Sequence, residues 1–215
     1  MSALVACGGL HTLKLCYTRV SALVCLYSLR VLELCCTGVT DVSGLVGCSN
    51  LHTLNLSGTR VTDVSPLAAC LGLRTLYISW TGVTDLCALE RCSGLRTLNL
   101  CHTLVTAVSA LAGCSSLHAL NISSTRVTDV SALAGCSSLR TLILHKTGVT
   151  DVSALARLSS LQVLDLCDTE VTDVSALKRC SGLRSLNLLH TRVKDISALV
   201  GRSSLHIRHR YNGER

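Results

Sequence analysis

The stretch LHTLNLSGTRVTDVSPLAACLG, from Leu51 to Gly72, decides how the rest of the chain is read. Near-copies of it run in both directions at a spacing of 22 residues, opened by Leu29, Leu51, Leu73, Leu95, Leu117, Leu139, Leu161, Leu183 and Leu205. Leu10 precedes Leu29 by only 19 residues, so the first unit carries a three-residue deletion. With each unit numbered 1 to 22, positions 1, 4 and 6 are apolar and nearly always Leu. Position 9 is Thr, position 11 is Val and position 17 is Leu in all nine units, and position 20 is Cys in most, as in Cys48, Cys70, Cys92, Cys114, Cys136 and Cys180. Self-similarity at such a period signals a repeat architecture.

Positions 4 to 6 alternate apolar, polar, apolar, the period of a strand. In the quoted unit Leu54 and Leu56 point inward and Asn55 outward. One unit cannot bury its own leucines. Stacked units bury them between neighbours, with strands pairing in parallel about 4.8 Å apart. Ser65-Pro66 fits an N-cap followed by proline at the first helical position. The residues from Pro66 to Cys70 then suffice for one turn of 3₁₀- or α-helix on a thin convex side. The Asp at position 13, as in Asp63 and Asp129, is expected to hydrogen-bond the backbone of the turn that follows.

The composition agrees. Hydrophobic residues make up 48% of the 215, with one Trp, four Tyr and no Phe, which suits many small identical layers better than one irregular core. No apolar run is long enough to span a membrane. The start, MSALVACGGL, has no basic segment before its short apolar run and does not fit a signal peptide. The fourteen cysteines mostly recur among apolar residues and read as small hydrophobes with inert thiols. Together these features imply an intracellular chain, cytoplasmic or nuclear, in a reducing compartment.

The pattern LxxLxLxxTxVTDVSALxxCxxL resembles the leucine-rich repeat family across essentially the whole chain. The repeat length and the DVSPL segment resemble the short-repeat class that includes internalins and the repeat-built regulatory subunit of protein phosphatase 1. The wording TxVTDVSAL resembles that of leucine-rich repeat proteins of trypanosomatids. The resemblance implies an α/β fold: a right-handed solenoid or arc with a parallel β-sheet on the concave face and short 3₁₀ or α turns on the convex face. Residues 1–204 would form the solenoid, with 1–9 a partial repeat, and 205–215 a degenerate last strand and basic tail. Those classes usually carry Asn at position 9, where Thr stands here. A hydroxyl has fewer hydrogen bonds to offer, so a looser ladder along the same path is expected.

In such a solenoid positions 2, 3, 5, 7 and 8 lie on or beside the concave sheet, the surface with which families of this type bind partners. Position 2 carries His11, Arg30, His52, Arg74, Arg96, His118, Arg140, Gln162, Arg184 and His206. So basic a file suits an acidic partner; the competing reading is a solvated rim balanced by the position-13 aspartates. Position 5 is mostly polar, and Tyr77 with Trp80 three residues on are residue types enriched at binding hot spots. A ring lying flat over a neighbouring coil is the alternative for Trp80. The expected partner-binding residues are Arg74, Tyr77, Trp80, Arg96, Asn99, Asn121, Arg140, Asp165, Arg184 and Asn187. Ile143, Val163 and Leu189 could add an apolar patch.

No glycine-rich phosphate loop occurs, and the breaks in the repeat, such as Ala107 for Asp and Leu104 at position 10, remove polarity rather than install a catalytic group. No enzyme activity, cofactor or metal is expected. Cys16, Cys35 and Cys36 offer three thiols on adjacent units and Cys101-His102 a further pair, but structural zinc needs four ligands. Nucleic acid is disfavoured because the face has almost no stacking aromatics. The expected function is a non-enzymatic protein-interaction scaffold; the alternative is a targeting or regulatory subunit of an enzyme complex, a phosphatase regulator or ubiquitin-ligase substrate receptor. The uncapped N-terminal coil suggests self-association, and charge such as Arg208 on the last strand discourages it at the other end.

Overall fold

The computed structural model describes residues 3–4, 9–23 and 27–209. Two short strands, β1 (Ala3–Leu4) and β3 (Ala22–Leu23), pair in parallel by themselves. Ten more form one continuous parallel sheet in chain order: β2 (Thr12–Lys14), β4 (Val31–Glu33), β5 (Thr53–Asn55), β6 (Thr75–Tyr77), β7 (Thr97–Asn99), β8 (Ala119–Asn121), β9 (Thr141–Ile143), β10 (Val163–Asp165), β11 (Ser185–Asn187) and β12 (His206–Arg208). Leu54 is in register with Leu76, and Leu76 with Leu98. The fold is therefore the expected solenoid arc, one coil per strand, the coils opened by Leu29 to Leu183 being 22 residues long and that opened by Leu10 19.

The strands occupy positions 3 to 5, one residue earlier than the apolar alternation suggests. The ladder nevertheless continues past them. Leu56 N–H reaches Tyr77 O at 2.8 Å and Gly58 N–H reaches Ser79 O at 2.8 Å, so each coil stays bonded to the next through position 8. At position 8 the chain turns with positive φ in Tyr17, Cys36, Gly58, Trp80, His102, Ser124, Lys146, Asp168 and His190. Only Gly58 adopts that left-handed conformation without steric cost.

The interior is a stack of identical layers. Leu29, Leu32, Leu34 and Leu45 of one coil are buried, as are Leu51, Leu54, Leu56 and Leu67 of the next. Each such side chain contributes about 1.5–3 kcal/mol through removal from water. The layer also contains Thr37, Thr59, Thr81, Thr103, Thr125, Thr147 and Thr169, all buried. Their hydroxyls do not ladder to neighbouring coils. Thr59 Oγ1 donates to Leu56 O at 2.6 Å, and the other coils repeat this bond to the carbonyl three residues back. Thr thus closes the turn inside its own coil, and no buried side-chain nitrogen or oxygen among the described residues lacks a partner.

The convex side consists of 3₁₀ helices, such as Ser65–Ala69, Ser131–Gly135 and Ser175–Arg179. Ser65 is not their N-cap. It is the first helical residue, and Val64 holds the cap position with no side-chain hydrogen bond. Asp63 takes over the capping work: Oδ1 accepts the Ser65 N–H at 2.7 Å and Oδ2 the Ser65 hydroxyl at 2.9 Å. Asp41, Asp129, Asp151 and Asp173 repeat both bonds, which is the turn role expected of position 13.

The cysteines of position 20 are fully buried, and their thiols also do polar work. Cys70 Sγ points to Leu45 O at 3.6 Å, Cys136 to Leu111 O at 3.4 Å and Cys180 to Leu155 O at 3.2 Å, in each case a carbonyl of the preceding coil's 3₁₀ helix. One rung outside position 20 departs from the inert thiols. Cys16 and Cys35, stacked at position 7 with Cα atoms 4.5 Å apart, form a disulfide. That removes two of the three thiols weighed as a metal cluster with Cys36. Residues 5–8 of the incomplete first coil, on which the expectation of self-association rests, lie outside the described residues.

Candidate partner-binding face

Parallel stacking turns each repeat position into a file running along the arc. In the position-2 file Arg74, Arg96, Arg140 and Arg184 are exposed, while His52 before them and His118 and Gln162 between them are half-buried. Their backbones are committed: His52 O accepts both Arg74 N–H at 2.8 Å and Thr75 N–H at 2.9 Å. The guanidinium groups are not. The ion pairs among the described residues are Lys14–Glu33, His145–Asp168 and Arg192–Glu170, and none involves these four arginines. The position-13 aspartates, weighed as their counter-charges, are instead occupied by their own turns. Between Arg140 and Arg184 opens a hollow of about 570 Å³, lined by Gln162, Gly182 and the hydroxyls of Ser159, Ser160, Ser181 and Ser204.

Position 5 behaves differently from the simple outward file that alternation suggests. The side chains of Asn99, Asn121, Asp165 and Asn187 curl back onto their own chain. Their Oδ1 atoms accept the N–H groups of Cys101 at 3.0 Å, Ser123 at 2.9 Å, Cys167 at 2.9 Å and Leu189 at 3.3 Å. These bonds steer each strand into its left-handed turn. The three Asn Nδ2 groups make no hydrogen bond among the described residues.

Tyr77 sits half-buried on β6, between Asn55 and Asn99 in the register. Trp80, at φ 57°, lies over the next coil and stacks on His102, with ring centroids 3.7 Å apart and planes inclined by 18°. It keeps 63% of its surface exposed, so the ring is both held by a neighbour and open on its other face. The candidate residues thus form two files, arginines along one edge and Trp80 with the position-7 and position-8 groups along the other, across a sheet of half-buried side chains. Ile143, Val163 and Leu189 are half-buried, at repeat positions 5, 3 and 7.

Two features of these files escaped the reading of the sequence. Arg202 stands where other coils have the position-20 Cys, and its guanidinium lies against the backbone of the preceding coil. His145, Cys167 and Asp168 converge at positions 7 and 8 of adjacent coils. Both are breaks in the repeat, the one signal by which they could have been found.

A family model of leucine-rich repeats matches residues 27–69 and 159–201. The crystal structure of an internalin C2 from Listeria monocytogenes is similar over 84% of this chain and 80% of its own, at 30% identity and a TM-score of 0.78. A Leptospira interrogans leucine-rich repeat protein is similar over 93% of this chain and 54% of its own, at 20% identity and a TM-score of 0.86. The functional domain of InlJ from Listeria monocytogenes, which includes a cysteine ladder, is similar over 93% of this chain and 43% of its own, at 21% identity and a TM-score of 0.81. No curated protein matches the sequence. The chain belongs to the leucine-rich repeat family, in its internalin-like class. That membership points to protein–protein interaction. No helix among the described residues is long and apolar enough to cross a membrane.

Proposed function

We propose that this chain is a non-enzymatic scaffold that holds an acidic protein on its concave face. The observation that carries the reading is the exposed file Arg74, Arg96, Arg140 and Arg184, whose guanidiniums have no ion-pair partner among the described residues. Like charges stacked one above another cost the bare fold free energy, which an acidic partner offsets. The serine-lined hollow between Arg140 and Arg184 supports a carboxylate-bearing loop as the group received there. On the far edge Trp80 supplies a large rigid apolar surface, and the free amides of Asn99, Asn121 and Asn187 supply donors between. The buried thiols of Cys70, Cys92, Cys114, Cys136 and Cys180, none of them in a disulfide, support an intracellular setting, against which the Cys16–Cys35 disulfide weighs.

Affinity capture from lysate with mass spectrometry, run beside Arg74→Glu/Arg96→Glu and Arg140→Glu/Arg184→Glu variants, tests the reading. An acidic protein bound by the parent chain, and lost by the charge-reversed variants in a salt-dependent way, supports it. A partner held equally by the reversed variants, or a basic one, refutes it. Capture of an enzyme whose activity this chain redirects would move the reading to a regulatory subunit.

A further inference from the structure

Stacking brings three unlike donor atoms together beside the concave sheet. His145 and Cys167 occupy position 7 of adjacent coils, and Asp168 follows Cys167 in the left-handed turn, at φ 54°. His145 Nδ1 lies 3.5 Å from Asp168 Oδ2, and Cys167 Sγ lies 3.6 Å from the same oxygen. All three donor atoms fall within 4.8 Å of one another. His145 is the one imidazole at position 7, and Asp168 the one carboxylate at position 8. A functional site in a repeat protein shows itself as this kind of local departure from the pattern.

We propose that His145, Cys167 and Asp168 form a zinc-binding site with one open coordination position. The spacing suits a metal ion held among the three atoms. A direct N–H···O bond spans about 2.7–3.2 Å, so 3.5 Å between imidazole and carboxylate is too long for a good one. A tetrahedron with metal–ligand bonds of about 2.0–2.3 Å has edges of about 3.3–3.8 Å. Both separations fall in that range. The donor set of one imidazole nitrogen, one thiolate and one carboxylate oxygen is also the mixture zinc accepts, and too soft for calcium or magnesium. Three protein ligands leave the fourth position to water. Asp165 is the outer support: its Oδ1 accepts the Cys167 N–H at 2.9 Å and fixes the backbone that presents the thiol. The half-buried setting of His145 and Cys167 limits the rotamers from which they must be drawn.

The test uses the full chain in a Cys36→Ser background, which leaves the Cys16–Cys35 disulfide intact, so that the exposed thiol of that coil does not compete. Zn²⁺ alone is titrated by calorimetry into metal-stripped protein, and Co²⁺ is used as a spectroscopic substitute. One zinc per chain is expected, with a visible Co²⁺ spectrum of tetrahedral type and a near-ultraviolet thiolate charge-transfer band. His145→Ser, Cys167→Ser and Asp168→Gly place at each position a residue that neighbouring coils already carry, at Ser57 or Gly58, so folding should survive and circular dichroism checks it. Each should weaken zinc by at least about tenfold, and Cys167→Ser alone should abolish the charge-transfer band. Zinc bound equally well by all three variants, a thiolate band that survives Cys167→Ser, or no zinc taken up at stoichiometric metal overturns the proposal.

Discussion

The Arg202 guanidinium donates from Nη1 to the carbonyl of Leu177 at 3.3 Å. Leu177 O bears the same relation to Arg202 that Leu155 O bears to the Cys180 thiol one coil earlier, a carbonyl 25 residues back. Arg202 Nη2 adds Cys180 O at 2.6 Å, Ser181 O at 3.1 Å and Leu183 O at 3.2 Å. In place of a thiol, a long side chain with several donors here gathers carbonyls of the preceding coil and that of Leu183 at the start of its own. Arg202→Ala should therefore destabilise the last coils by about 1–3 kcal/mol. Arg202→Cys should recover part of that through the thiol bond. Denaturant unfolding, with hydrogen exchange at Leu205–Arg208 to localise the effect, checks this; unchanged exchange there in Arg202→Ala would remove this role.

The cysteine file responds to alkali. Burial pushes the Cys70 thiol up to about 12, with Cys48 and Cys92 adding to it, and burial pushes Cys136 up to about 11. Burial raises Cys92, Cys114 and Cys180 as well. A group whose folded value is raised contributes stability that is complete below its unfolded value, here 9.0, and lost as pH climbs through the folded one. Melting temperature should hold steady to about pH 9 and then fall between there and about pH 12. At pH 8 a thiol reagent should label Cys36 and Cys87 in the native chain and reach the position-20 cysteines only after denaturant is added. Rapid native labelling of Cys70 or Cys136 would contradict the picture.

The aspartates of position 13 give the opposite response. Hydrogen bonds from the backbone N–H and hydroxyl of the following Ser hold Asp41, Asp129, Asp173 and Asp195 below the ordinary 3.8. Their contribution is present above that value and is lost as pH falls through the lower folded values. The coil opened by Leu95 lacks this device, because Ala107 replaces Asp ahead of Ser109. Ala107→Asp should restore it and raise the melting temperature at pH 7 by about 1–4 °C. The gain should vanish near pH 2. A gain that persists at that pH would mean that the carboxylate is not its source.

Much of this was legible because repetition multiplies every local signal. Nine aligned leucines define a coil, and the register of Leu54 with Leu76 follows once coils stack. The position-13 turn was readable too, since Asp two residues before Ser has one simple bonding option. What failed to show was set by neighbouring coils rather than by the unit. Thr59 looks like a weak substitute for Asn until its own Leu56 carbonyl is seen to satisfy it. Asn99 looks outward until its Oδ1 is found on Cys101 N–H. Cys16 and Cys35 pair because a 19-residue unit still brings position 7 above position 7, a consequence of stacking that composition does not reveal.

Trp80 separates a binding role from a structural one most sharply, because its backbone is strained and its ring only half supported. A non-glycine residue in the left-handed region costs about 1–2 kcal/mol, and Gly58 shows that glycine serves at the same position. Against that stands the stack on His102, for which about 0.5–1.5 kcal/mol is typical of aromatic pairs. The two effects nearly cancel, so Trp80→Gly should leave stability within about 1 kcal/mol of the parent while removing a ring that is 63% exposed. Capture of the acidic partner should weaken by at least about tenfold, the loss expected of a buried aromatic anchor. Trp80→Ala keeps the strain and loses the stack, so it should be less stable than Trp80→Gly by about 1 kcal/mol, with the same binding defect. If Trp80→Gly lowers the melting temperature by more than Trp80→Ala does, the left-handed strain is not what the backbone implies. If both variants still capture the partner, the contact surface lies with the arginine edge alone.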